Sequence, residues 1–112
     1  MQVTIVDVTA RNVGDIPEAC KPCLYWENPS IFRRVEELSP AERVGFEARK
    51  ADWFRETQKK SGTCGKILYC EDTPVGYAQY SVVDSLPQAH EYGAKSLGKP
   101  EDDVAFISCL YI

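Results

Sequence analysis

Two pairs of cysteines are the residues whose spacing first suggests chemistry. Cys20 and Cys23 have the Cys-x-x-Cys spacing, and Cys64 and Cys70 could supply a second pair. Four thiolates of this kind can bind zinc tetrahedrally. However, the first pair lies in a predicted amphipathic helix, and the second spans a predicted strand whose side chains point apart. We therefore favour reduced cysteines in the core and predict no metal site, with a zinc-stabilised module as an alternative.

Length and charge exclude several classes of protein. The chain has 112 residues, which fits one domain, and a formal net charge of −4, which argues against binding nucleic acid by phosphate neutralisation. Its 44% hydrophobic residues can fill a core. No apolar run is long enough to span a bilayer, and no signal peptide is evident, so we expect a cytoplasmic protein without a membrane partner.

One long helix has clear start and stop signals. Ser39 is a typical N-cap, Pro40 suits the first helical position, and Glu42 completes a capping box. The helix is predicted to reach about Lys60, with Gly62 ending it. Its predicted buried stripe consists of Val44, Ala48, Ala51 and Phe54.

Two shorter helices are predicted before it. Asp15 could cap a helix that runs through Ala19 to about Trp26, and Ser30 could cap another over residues 31–38.

Four segments have strand patterns. Residues 3–8 alternate, residues 65–70 and 75–83 form a predicted hairpin, and residues 104–112 are almost continuously apolar. We expect this last strand to be covered on both faces. Before it lies a long polar loop, residues 84–103, part of which (88–97) could be helical.

Several of these segments, in this order, resemble GCN5-related N-acetyltransferases (GNAT). Residues 23–27 are similar to the end of the family's first helix, and Lys50–Phe54 to its second. Residues 63–67 and 74–80 (Pro-Val-Gly-Tyr-Ala-Gln-Tyr) resemble the second and third strands, and residues 106–112 the fourth.

The resemblance implies an α/β fold: a GNAT-like mixed sheet flanked by helices, in the order β-α-α-β-β-loop-β. In the family, a Gln/Arg-x-x-Gly-x-Gly/Ala loop that binds the acetyl-CoA pyrophosphate follows the fourth strand. Here the sequence stops at Ile112. Residues 1–112 are therefore expected to be one partial domain, the N-terminal half of the fold. Whether this half is active by itself is left open.

The resemblance also implies site residues. The backbone of Leu110, Tyr111 and Ile112 would contact the acetyl and pantetheine parts of acetyl-CoA, and a free N–H would stabilise the oxyanion. Glu27 is a candidate general base or acceptor ligand, the alternative being an exposed surface carboxylate. Ser108 could anchor a catalytic water, the alternative being a serine bonded to nearby backbone.

The predicted function is transfer of acetyl from acetyl-CoA to an amine of unknown identity. The alternative is a non-catalytic half-domain that forms a homodimer, or pairs with a missing C-terminal half, through its terminal strand.

Overall fold

The computed structural model describes residues 2–82, 85–92 and 105–112. They form a mixed α/β fold with a four-stranded sheet in the order β1-β2-β3-β4. The strands are β1 (Val3–Asp7), β2 (Gly65–Cys70), β3 (Thr73–Val82) and β4 (Ala105–Tyr111). Each of the three pairings is antiparallel, so within the described residues the sheet is not the mixed one that we expected.

The long helix, α1 (Pro40–Ser61), forms where its end signals place it. The Ser39 hydroxyl accepts a hydrogen bond from the Glu42 N–H at 3.1 Å, and the Glu42 carboxylate accepts one from the Ser39 N–H at 2.9 Å. Gly62 follows the helix with a φ of 82°, a left-handed conformation that glycine adopts without strain. The predicted helix is thus confirmed.

The predictions of the two shorter helices were wrong. Residues 19–26 form successive turns because Pro22 has no N–H to donate within a helix. Ser30 does not cap a helix: its hydroxyl donates to Asn28 Oδ1 at 2.8 Å. In residues 31–38 only a single 3₁₀ turn forms, Val35–Glu37. Two further 3₁₀ segments are Val13–Asp15 and Pro87–Tyr92.

The predicted hairpin is confirmed, with Glu71 and Asp72 at its turn, both at positive φ. The polar loop is described only over residues 85–92, and the rest of it lies outside the described residues, as does Val104.

The expectation that the last strand is covered on both faces was wrong. β4 pairs with β3 alone in the described chain, and Ile107 and Leu110 are 66% and 75% exposed.

The core lies between the sheet and α1. Buried side chains there include Val8, Ile16, Phe54, Cys64, Ile67 and Tyr77. The buried face of α1 also differs from the predicted stripe: Val44 is 70% exposed, whereas Lys50, Phe54 and Thr57 are buried. Lys50 and Phe54 are four residues apart, and Phe54 and Thr57 are three apart, which places all three on one face of the helix.

All five cysteines are free thiols, with Cys20 and Cys64 buried and the other three half-buried. No cluster of three or more His, Cys, Asp or Glu side chains among the described residues could hold a metal ion. In the same part of the chain, no helix is both long enough and apolar enough to cross a membrane.

Candidate functional site

A buried ion pair joins the turn after residue 23 to α1. Glu27 and Lys50 form a salt bridge, and the side chain of each is only 2% exposed. The Lys50 ammonium also donates to the Cys23 carbonyl at 2.8 Å. A local turn, closed by the Asn28 N–H donating to the Leu24 carbonyl at 2.9 Å, points Glu27 inward. Buried Leu24 anchors this turn. Glu27 is therefore not the exposed surface carboxylate that was its alternative.

The ion pair continues into the sheet through two side chains of β3. Gln79, fully buried, donates from Nε2 to Glu27 Oε2 at 2.8 Å. The Tyr77 hydroxyl donates to Gln79 Oε1 at 2.5 Å. Lys50 and Gln79 thus both bind the same carboxylate oxygen of Glu27, which fixes the orientation of the group.

The other carboxylate oxygen of Glu27 lacks hydrogen bonds of this kind. Glu27 Oε1 is buried and has no hydrogen-bond partner among the described residues. A buried polar atom left in this state destabilises a fold by about 1–3 kcal/mol. Since buried polar groups are nearly always paired, an unpaired one indicates a place where a ligand or water binds.

Two cavities lie beside the residue that carries this carboxylate. Glu27, Trp53 and Glu56 line both of them. The first has a volume of about 260 Å³ and extends to Leu24 and Asp52. The second has a volume of about 450 Å³ and extends to the end of β3.

Trp53 lines both cavities and is held by several contacts. Its indole N–H donates to the Ser85 carbonyl at 2.8 Å, and its ring packs edge-on against Phe54 with centroids 5.1 Å apart. It also packs against buried Leu86 and Ala89. These contacts fix the position of the aromatic ring that both cavities share.

Ser108 lies at an irregularity in β4. Gln79 is opposite Cys109, but Tyr80 is opposite Ile107, so Ser108 is the extra residue of a β-bulge. Its hydroxyl donates to the Gln79 carbonyl at 3.3 Å. Glu27 and Ser108 therefore contact the same residue, Gln79, one through its side chain and the other through its backbone.

The three predicted cofactor-binding residues lie at the end of β4, away from the ion pair. Leu110 is opposite Ala78, and Tyr111 is opposite Tyr77. All three are exposed, and Ile112 is 95% exposed. They border an open, apolar groove of about 170 Å³ on the sheet face opposite α1, together with Ile5 and Leu68.

The side chains around the ion pair are held in their neutral forms. Burial raises the pKa of the Cys64 thiol to about 12 and that of Cys109 to about 11. Burial likewise raises the pKa of Tyr77 and, to a smaller extent, of Cys20. A thiolate nucleophile is thus not available here near neutral pH.

Two side chains of the buried network were not predicted as site residues from the sequence. Lys50 was noted only as part of a helical motif, although its spacing from Phe54 and Thr57 would have placed it on a buried face. Gln79 gave a clearer signal, since an amide in the middle of an apolar strand needs a partner. Neither signal identifies Glu27 as that partner, because the contact spans 52 residues of sequence.

Comparisons with known proteins give a limited likeness. No protein-family profile matches the chain, and no curated protein matches it. Among solved structures, the fold is similar to the crystal structure of the PaiA N-acetyltransferase from Thermoplasma acidophilum in complex with coenzyme A, with a TM-score of 0.42 and 11% identity over 88% of this chain and 75% of that one. A likeness at this level determines neither family nor activity.

Proposed function

We propose that this chain belongs to a GNAT-type N-acetyltransferase, which transfers acetyl from acetyl-CoA to an amine. The sequence motifs that resemble the family support this. The observation that carries the proposal is the state of Glu27: a buried carboxylate held through one oxygen by Lys50 and Gln79, in a residue that lines two cavities. A group with this geometry suits binding or deprotonating an amine.

In the proposed reaction, the uncharged amine nitrogen attacks the thioester carbonyl. The carbon–sulfur bond then breaks and an amide is formed. The leaving thiolate takes up the proton that the amine nitrogen loses and becomes the thiol of coenzyme A. Alternate residues of an edge strand direct their N–H groups away from the sheet, so the end of β4 is suited to stabilise the oxyanion. Leu110, Tyr111 and Ile112 would supply these backbone contacts, and Ser108 would anchor a water.

The proposal is tested with two acetyl donors. Acetyl-CoA and S-acetylpantetheine, which lacks the nucleotide, are each incubated with the protein and an equimolar mixture of primary amines, and acetylated products are quantified by mass spectrometry. We expect amide formation above the protein-free rate with at least one donor. Product at only the protein-free rate with both donors would contradict the proposal.

A matched pair of variants locates the activity. Glu27→Gln combined with Lys50→Met removes both buried charges together and is expected to lower the rate at least tenfold. Glu36→Gln removes an exposed charge from a residue that does not line either cavity and is expected to leave the rate unchanged.

A second candidate function is association through β4, as a non-catalytic half-domain. The observation that favours it is the exposure of Ile107 and Leu110 on a strand whose only described neighbour is β3. Edge strands of this kind pair readily with other chains. Sedimentation equilibrium, together with the acetyl-transfer assay, distinguishes the two candidate functions. A dimer without acetyl transfer supports association through β4, and a monomer that transfers acetyl excludes it.

A further inference from the structure

The Cys-x-x-Cys motif has no part in the proposed acetyl transfer, yet the structure brings its two residues together. Cys20 and Cys23 are the first and last residues of a tight turn, closed by the Cys23 N–H donating to the Cys20 carbonyl at 3.2 Å. The Cα atoms at the two ends of such a turn lie less than about 7 Å apart. Disulfides span Cα distances of about 4.4–6.8 Å, so this turn has the dimensions that a disulfide requires.

The backbone of the turn is held by several contacts. Pro22, which is fully buried, occupies its third position and restricts the chain there. The Cys20 N–H donates to the Pro17 carbonyl at 2.8 Å, and the Cys23 carbonyl accepts from the Lys50 ammonium at 2.8 Å. Since both cysteines are already restricted, little conformational entropy is lost when their sulfurs are joined.

The two thiols differ in their exposure to solvent. Cys23 is half-buried, whereas Cys20 is buried with 9% of its surface exposed. Burial also raises the pKa of the Cys20 thiol, and the nearby Lys50 ammonium opposes that shift. A reagent from solution therefore meets Cys23 first, and Cys20 reacts only with a sulfur that is already bound to Cys23.

We propose that Cys20 and Cys23 form a reversible disulfide by exchange with a low-molecular-weight disulfide. The Cys23 thiolate attacks one sulfur of the small disulfide, which releases one small thiol and leaves a mixed disulfide on Cys23. Cys20 then loses its proton and attacks the Cys23 sulfur, which closes the protein disulfide and releases the second small thiol. Two protein thiols are oxidised, two small-molecule sulfurs are reduced, and the two protons pass to the released thiols.

The second step does not require a large fraction of ionised Cys20. The two sulfurs lie in one turn, so the attack is intramolecular and proceeds at a high effective concentration. The disulfide is also expected to affect the buried ion pair, because the Lys50 ammonium bonds both the Cys23 carbonyl and Glu27. None of these steps depends on acetyl transfer, so the failure of either proposal leaves the other intact.

Cys109 is the competing partner for either thiol. It is half-buried on β4. Burial is the main cause of its raised pKa, but Cys20 and Cys23 contribute, so the three thiols lie near one another. A disulfide to Cys109 would close a much longer loop than one within the turn, and its entropic cost is correspondingly larger. We therefore expect the disulfide within the turn.

The test is a redox titration of the folded protein in glutathione buffers of increasing oxidised fraction. Samples are quenched in acid, alkylated, digested with trypsin and analysed by mass spectrometry. Both cysteines stay in one peptide, residues 12–33, because Lys21 precedes a proline. We expect this peptide to lose alkylation at both cysteines together, by about tenfold or more, and to become lighter by two hydrogen atoms. Buried Cys64 should remain alkylated throughout.

Three results of this titration would overturn the proposal. The first is a peptide that stays doubly alkylated in the most oxidising buffer. The second is a peptide that keeps glutathione on Cys23, and the third is one joined to the peptide that contains Cys109.

Variants with a fold checked by NMR assign the two roles. Cys20→Ala removes the thiol that closes the disulfide, so glutathione should accumulate on Cys23. Cys23→Ala should leave Cys20 reduced, because that thiol is buried. Cys70→Ala, at another half-buried thiol, should leave the transition of peptide 12–33 unchanged. Glutathione on Cys20 in Cys23→Ala, or a shifted transition in Cys70→Ala, would contradict these roles.

The effect on the ion pair has its own measurement. The ¹⁵N signal of the Lys50 ammonium should shift on oxidation and return when dithiothreitol is added, while the ¹³C signal of the exposed Glu36 carboxyl carbon stays unchanged. A Lys50 signal that does not move in protein shown to be oxidised would contradict the effect on the ion pair.

Discussion

The two faces of the sheet differ in the side chains that they bury and expose. On the face toward α1, a buried network of polar groups joins Glu27, Lys50, Gln79 and Tyr77. On the opposite face and along β4, large apolar side chains such as Leu110 are exposed. Buried charges and exposed apolar groups both reduce stability, so each is a place where function is the better explanation.

The largest expected effect comes from breaking the ion pair. Lys50→Met alone should lower the free energy of unfolding by about 3–5 kcal/mol, because it leaves Glu27 as an unpaired buried charge. Adding Glu27→Gln should restore most of this loss. Urea denaturation measures both, and a single variant as stable as the wild type would show that the pair is open to water.

The next prediction compares glycines on the two faces. A Cβ at Gly65 would lie 2.8 Å from Val8 and 2.9 Å from Phe54, whereas at Gly76 its nearest neighbour is Leu68 at 3.2 Å. Gly65→Ala should therefore destabilise the protein by about 1–3 kcal/mol. Gly76→Ala should cost less than about 1 kcal/mol, because its closest contact, with the Leu68 Cβ, is longer and lies on the open face.

Thermal or urea unfolding of the two glycine variants gives the comparison. Gly45→Ala is a control, since nothing lies within 4 Å of that added Cβ and alanine favours the helix. Equal losses at Gly65 and Gly76 would show that the two faces are packed alike.

High pH should lower the free energy of unfolding, because two thiols on the buried face resist ionisation in the folded protein. Cys64 and Cys109 ionise with an ordinary pKa of 9.0 when unfolded, but their folded pKa values are raised to about 12 and about 11. Their contribution to stability is therefore complete below pH 9 and is lost as the pH rises from 9 toward 11–12. Between pH 8 and pH 10 the free energy of unfolding should fall by about 2.5–3 kcal/mol.

Urea titrations at the two pH values, under reducing conditions, measure this loss. In Cys64→Ala the fall should be about 1 kcal/mol smaller, since one of the two thiols no longer ionises on unfolding. A stability that does not change up to pH 10 would mean that these thiols are exposed to water.

The smallest effect is expected at the exposed edge. Ile107→Lys and Leu110→Lys should each change the free energy of unfolding by less than about 0.5 kcal/mol, because both side chains are largely exposed. If β4 mediates association, the same changes should shift the protein to a monomer in sedimentation analysis. A loss of several kcal/mol in a monomeric protein would show that β4 is covered.

Sequence predicted the elements that local signals define. Ser39 and Gly62 mark the ends of α1, and the hairpin follows from alternation around a turn. The first short helix was wrong because Pro22 was not weighed against the apolar pattern around it, and the second because Ser30 bonds Asn28 and does not cap a helix. The bulge at Ser108 and the pairing of Glu27 with Lys50 depend on contacts between distant segments, which periodicity does not encode. Glu27 was identified as a candidate, but not its buried partners.

The most direct test of the account is hydrogen exchange at the Lys50 ammonium, observed by ¹⁵N NMR. We expect its protons to exchange slowly enough to be seen near neutral pH, because the ammonium is buried and donates to Glu27 and to the Cys23 carbonyl, whereas the protons of exposed Lys59 should exchange too fast to be seen. A Lys50 ammonium that exchanges as fast as that of Lys59 would contradict the central claim that a buried ion pair organises this face of the sheet.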